Sequence, residues 1–133
     1  MSRILRLARP LFDLFWRLAG WRERMDGAQA TIVQTLLTWE GVTQHPHRFG
    51  GVELRLGSRE IGHIHGDWLV DIPFPSKVRD EVVASGQAEP HHILPDSGWI
   101  SRYLRQPGDL ETAIALLGRS YAIALHQRSK RQP

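Results

Sequence analysis

Between Val52 and Ile72 the chain reads as three short alternating runs joined by glycine turns, and this stretch constrains the fold more than any other. Val52, Leu54 and Leu56 alternate with Glu53 and Arg55, Gly57-Ser58 turns the chain into Glu60 to His65, and Gly66-Asp67 suits a two-residue hairpin into Trp68 to Ile72. A period of two sends alternate side chains to opposite faces, one against a core and one toward water. Turns this short oblige neighbouring strands to run antiparallel. A three-stranded meander is therefore expected.

The flanking segments carry helical spacing. Asp26 is placed to cap a helix running to about Trp39, with Ile32, Val33, Leu36 and Leu37 on its apolar face and Gly41 ending it. After Pro73 and Pro75, Ser76 is placed to cap a short helix, SKVRDEVVAS, closed by Gly86. The polar loop QAEPHHILPDSG leads to a fourth strand, Trp99 to Leu104. Asp109 then opens a last helix with Leu110, Ala113, Ile114, Leu117, Tyr121 and Leu125 on one face. With a further helix near the N-terminus, the order is helix, helix, three strands, helix, strand, helix. The expected class is α+β: an antiparallel four-stranded sheet with helices packed on one face.

The chain's 133 residues fit one globular domain. No cysteine is present, which excludes disulfides, thiolate zinc sites and cysteine nucleophiles and leaves His and carboxylates as metal ligands. The net charge of +3 is unevenly placed. Residues 1–24 hold six arginines against two acidic residues, and the tail 128–133 adds Arg128, Lys130 and Arg131. Residues 25–127 hold eight basic and twelve acidic residues, which lacks the cationic excess that phosphate neutralisation needs, so nucleic acid is not an expected partner. Three parts are delimited: a basic amphipathic arm (1–24), an α+β domain (25–127) and a basic tail (128–133).

In the arm, Ile4, Ala8, Leu11, Phe15 and Leu18 share a helical stripe, and Pro10 kinks that helix or starts its main part. Such a segment either lies in a membrane interface with its arginines near anionic headgroups or packs on its own domain. No run of eighteen apolar residues occurs, and Asp13 and Arg17 interrupt anything like a secretory leader. The expected localisation is cytoplasmic, with a membrane surface reachable through residues 1–24.

Six of the seven histidines fall between residues 45 and 92. In a strand His63 and His65 project from the same face, their backbones about 6.6 Å apart. Two such imidazoles can share a metal or act as base and hydrogen-bond donor on one substrate. A third ligand or a carboxylate is available from His91, His92, Asp67, Asp71 or Asp96. His45 and His47 bracket a proline and read as surface residues; Arg59 and Glu60 read first as an exposed pair, and Trp99 reads first as core. No nucleophile elbow, Walker loop or dinucleotide fingerprint is present.

The stretch from SREIGHIHGDW to LLGRSY, within roughly residues 42–124, resembles the luciferase-domain family, which includes the fungal luciferase of hispidin-type bioluminescence. Arg59, Glu60, Ile61, His63 and His65, a loop histidine at 91 or 92, and the aromatic strand Trp99 to Tyr103 carry the likeness. The resemblance implies an oxygen-using enzyme that oxidises a 3-hydroxy-α-pyrone such as 3-hydroxyhispidin, with molecular oxygen as co-substrate and no required cofactor. It implies His63, His65, His92 and Asp96 as catalytic residues, and Arg59, Asp71, His91, Trp99 and Tyr103 as substrate-binding residues. A divalent metal, if held, would fall to His63, His65 and His92. The fungal G-W-G-x-R-H-P-type pattern is replaced here by GQAEPHHILPDSGW. The alternative reading is a non-catalytic, membrane-peripheral module that binds a ligand or metal. The order of elements and the ending Trp99 to Leu104 before a capped helix are also similar to YjbR-type proteins with a frataxin-like sheet.

Overall fold

The computed structural model describes residues 26–131, and the expected amphipathic arm therefore lies outside the described residues. Three helices are described, α1 (Ala28–Leu37), α2 (Ser76–Ala84) and α3 (Asp109–Arg131). Six strands form one sheet: β1 (Val42–Pro46), β2 (Val52–Leu56), β3 (Arg59–His65), β4 (Leu69–Pro73), β5 (Glu89–Pro90) and β6 (Trp99–Tyr103). Their spatial order is β1-β2-β3-β4-β6-β5, with every pair antiparallel.

The α+β class holds, but the sheet has six strands rather than four. The two unforeseen strands are both edges. β1 (VTQHP) carries four exposed or half-buried residues out of five, so it lacks an alternating apolar signal. β5 is two residues long and exists only through pairing with β6. Edge strands are held by backbone hydrogen bonds to a neighbour, which side-chain patterning does not encode.

All three helices cover one face. Ile32 and Leu36 of α1, Val82 of α2 and Leu117 of α3 join Leu54, Ile64, Val70, Ile72 and Ile100 from the strands in one buried cluster. On α3 the buried stripe is Ala113, Leu116, Leu117, Ser120 and Ala124, so Leu125 is exposed, against expectation. The helix also continues to Arg131, through much of the segment expected to be a separate tail. No helix among the described residues is long and apolar enough to cross a membrane.

Two expected caps are replaced. Gly27, with φ of 83°, occupies the start of α1, and the carboxylate of Asp67 in the β3–β4 turn accepts from the Gly27 and Gln29 amides at 3.1 and 2.9 Å. A residue forty positions away thus satisfies the amides that Asp26 was expected to serve. Pro75 takes the capping position of α2, which displaces Ser76 into the first turn.

A register shift in β3 decides which side chains share the face opposite the helices. Leu54 pairs with Gly62 and Arg55 with Glu60, leaving Ile61 as the extra residue of a bulge. Across a regular strand Glu60 and His63, three residues apart, would face opposite ways. The bulge returns both to the same side of the sheet.

Candidate active site

On that second face, cross-strand pairing sets Glu53 opposite His63, His63 opposite Asp71, and Asp71 opposite Ser101. These four residues form a row running across β2, β3, β4 and β6. Glu53, His63 and Asp71 line the floor of a cavity of about 640 Å³, walled by Trp99 and by two loops carrying His47 to Phe49 and His91 to Leu94, and Ser101 supports Asp71 from outside that lining.

Asp71 is the hub. Its carboxyl group is fully buried and meets four imidazoles and one hydroxyl. Oδ2 lies 3.2 Å from His63 Nε2, 3.1 Å from His65 Nε2 and 3.4 Å from His91 Nε2. Oδ1 accepts the Ser101 hydroxyl at 2.7 Å and lies 3.5 Å from His92 Nδ1.

The partners assign the ring protons. His91 Nδ1 accepts the backbone N–H groups of Ile93 and Leu94 at 3.2 and 3.0 Å, so its proton sits on Nε2, facing Asp71. Burial lowers its pKa, with Asp71 opposing, and the ring is a neutral prop. Ser101 gives its one proton to Asp71, so its oxygen accepts from His92 Nδ1 at 3.1 Å. That leaves His92 Nε2 with its lone pair and no hydrogen-bond partner among the described residues.

His63 lies between two carboxylates, with Nδ1 2.7 Å from Glu60 and Nε2 against Asp71. Burial disfavours its charged form, but the hydrogen bonds and charges of Asp71 and Glu60 outweigh that and raise its pKa to about 9. Asp71 shows the complementary effect. Burial would raise it, yet its bonds with His63 and Ser101 and the nearby imidazoles hold it down at about 2. The floor thus carries an imidazolium–carboxylate pair at neutral pH.

His47 joins the site from the loop after β1, which corrects its reading as a surface residue. Its ring stacks on His63 with centroids 3.9 Å apart. The intervening turn is closed by Gly50 and Gly51, both at positive φ, and a Cβ on Gly51 would lie 2.0 Å from the Ile64 carbonyl. Burial and then the neighbouring His63 lower the His47 pKa. His45 stays on β1, bonded to Thr43 at 2.8 Å and outside the cavity lining.

Of the residues expected at the site, His63, His65, Asp71, His91, His92 and Trp99 line the cavity. Three do not. Arg59 precedes the bulge and lies beside Arg128 and Arg131 at the end of α3. Asp96 is exposed and outside the lining. Tyr103 lies farther along β6, beneath the Arg105 guanidinium at 4.3 Å and beside Trp68. The missed residues are His47, Glu53, Arg55, Ser101 and Glu60, the last rotated in by the bulge.

The expected metal trio of His63, His65 and His92 is also rearranged. His63 and His65 share a cluster with Asp71, whereas His92 groups with Asp71 and His91.

Comparison with known families agrees with the likeness in the sequence. The model of the luciferase domain matches residues 58–120. This segment belongs to the luciferase-domain family. It spans β3, β4, α2, β5, β6 and the first half of α3, and so contains Asp71 and four of the five clustered histidines. His47 comes from outside it. No curated protein and no solved structure matches the chain.

Proposed function

We propose that this luciferase domain is a small-molecule oxygenase whose substrate is an acidic enol of the 3-hydroxy-α-pyrone class. The observation that carries the reading is the convergence of four histidines on one buried carboxylate at the floor of a cavity with an aromatic wall. Polar groups concentrated in this way cost stability, and chemistry is what such a cost ordinarily serves.

The steps follow from the proton assignments. His92 Nε2 takes the enol proton, with Ser101 and Asp71 holding the ring in the required tautomer. The resulting enolate calls for positive charge at the cavity, and Arg48 is the lining arginine that Glu53 does not engage. The electron-rich carbon reduces oxygen and forms a peroxide; the product gains the two atoms of O2 and releases one carbon and two oxygens as CO2. No external reductant is needed.

Oxygen uptake and light output with 3-hydroxyhispidin, beside a His92→Ala control, test the proposal. Turnover that falls in the variant is the expected result. Folded wild-type protein that consumes no oxygen with this or related hydroxypyrones overturns it.

A second reading, a ligand-binding module at a membrane surface, draws on Phe49, Ile93 and Leu94, three exposed apolar side chains at the cavity mouth. Pelleting with anionic liposomes that is lost in a Phe49→Ser, Ile93→Ser variant would favour it.

A further inference from the structure

His63 and His65 project from one face of β3, and Asp71 lies directly across from His63 on β4. Their donor atoms, two ring nitrogens and a carboxylate oxygen, lie within 4.8 Å of one another. We propose that these three side chains are a facial binding site for one divalent first-row cation of the Fe(II) or Mn(II) type. The inference rests on the oxygenase reading only for what the ion would do, since the site itself is drawn from the donors.

The spacing fits. Cis ligands of an octahedral ion with bonds of about 2.2 Å are separated by about 3.1 Å. The Nε2 atoms of His63 and His65 stand 3.2 and 3.1 Å from Asp71 Oδ2. Two imidazoles and one carboxylate on one side of an ion are the donor set of non-haem iron sites that keep their remaining positions for substrate and oxygen.

The surroundings orient the donors. Glu60 lies 2.7 Å from His63 Nδ1, so that nitrogen carries a proton and the Nε2 lone pair is directed at the site; carboxylates hold metal-bound histidines in this way. Ser101 donates to Asp71, and the protonated Nε2 of His91 faces it at 3.4 Å. His91 is not a ligand, because its Nδ1 is occupied by two backbone amides and its Nε2 keeps the proton.

Charge points the same way. Glu53, Glu60 and Asp71 line one cavity, with Arg55 and Arg48 as the arginines among its lining residues. Arg55 is engaged by Glu53, which leaves Glu60 and Asp71 to the imidazoles. A dication offsets both. A deprotonated α-hydroxy carbonyl offers two oxygens to such an ion, which defines the substrate class as a chelating enolate. The ion thus supplies positive charge that faces the substrate.

The test is anaerobic titration of the full chain with Fe(II) and Mn(II), with Co(II) as a visible-spectrum probe. One ion per chain is expected in the wild type, with binding lost in His65→Gln and weakened about 10- to 100-fold in Glu60→Gln. His92→Gln should bind as the wild type does, and circular dichroism of each variant checks that it is folded. No binding by folded wild type, or equal binding by folded His65→Gln, overturns the site. Stoichiometric binding without oxygen consumption leaves the cation site standing and removes the oxygenase. Oxygen consumption unaffected by a chelator, in protein shown to bind no ion, removes the site and leaves the oxygenase.

Discussion

The two faces of the sheet are built from the same strands and obey opposite rules. Toward the helices, Leu54, Ile64, Val70, Ile72 and Ile100 are fully buried and packed together, so that face is governed by apolar area removed from water. On the other face Glu53, His63, Asp71 and Ser101 are also buried, yet each is held by polar partners, with the Asp71 carboxylate at the centre. The first face gains stability from every methylene it buries. The second is a desolvated network that is favourable only while every member keeps its partner. The fold is carried by one face and the chemistry by the other.

The sharpest way to break this contrast is to cut each face once. Ile64→Ala should cost about 2–5 kcal/mol in chemical denaturation, because a fully buried side chain leaves a cavity against the helices. Asp71→Ala should cost about 3–5 kcal/mol despite removing little apolar area, since it strands a buried imidazolium. A loss well under 1 kcal/mol in Asp71→Ala would show that the network does not hold the face together.

His92→Ala separates chemistry from stability. It should lower turnover of a hydroxypyrone about 10²- to 10⁴-fold while shifting the melting temperature little, since the ring is partly exposed and only its Nδ1 is held. Equal loss of turnover and stability would place His92 with the structural histidines.

The pH dependence of melting in metal-free protein sharpens the comparison further. His63 has a folded pKa raised to about 9, so its contribution is complete below about 6.5 and is lost as pH rises through about 9. Asp71 is held at about 2, so its contribution is present above about 4 and is lost as pH falls toward about 2. A plateau between those limits is expected, and His63→Gln should flatten the alkaline side. The smallest effect belongs to the helix side. Asp67→Ala removes the acceptor at the start of α1, should cost about 1 kcal/mol, and should leave turnover unchanged.

Legibility from sequence followed the same division. The meander from Val52 to Ile72 and the last helix were readable because each apolar residue there reports its own burial through a local period. β1 and β5 were not, because a neighbour's backbone holds them. In the site, the His63–His65 pair was readable from its period of two, His91, His92 and Asp71 were among the candidates to complete it, and the family likeness added Trp99 as a substrate-binding residue. Arg59 and Glu60 show where that route ends. Adjacent residues, they were read as an exposed pair, yet the bulge at Ile61 leaves Arg59 on the helix side and gives Glu60 to His63.

By itself the sequence determined the class of fold, the strand that bears the paired histidines, and the likeness of residues 58–120 to the luciferase-domain family. These are recorded in short-range spacing, which survives without knowledge of the rest of the chain. Only the tertiary structure decided that Asp71 is the hub, that His47 stacks on His63, that Asp67 serves α1, and that Asp96 and Tyr103 stand outside the cavity lining. Each of these depends on strand register or loop closure, set by the sum of many weak backbone and packing terms across the molecule. No short stretch of residues encodes that sum.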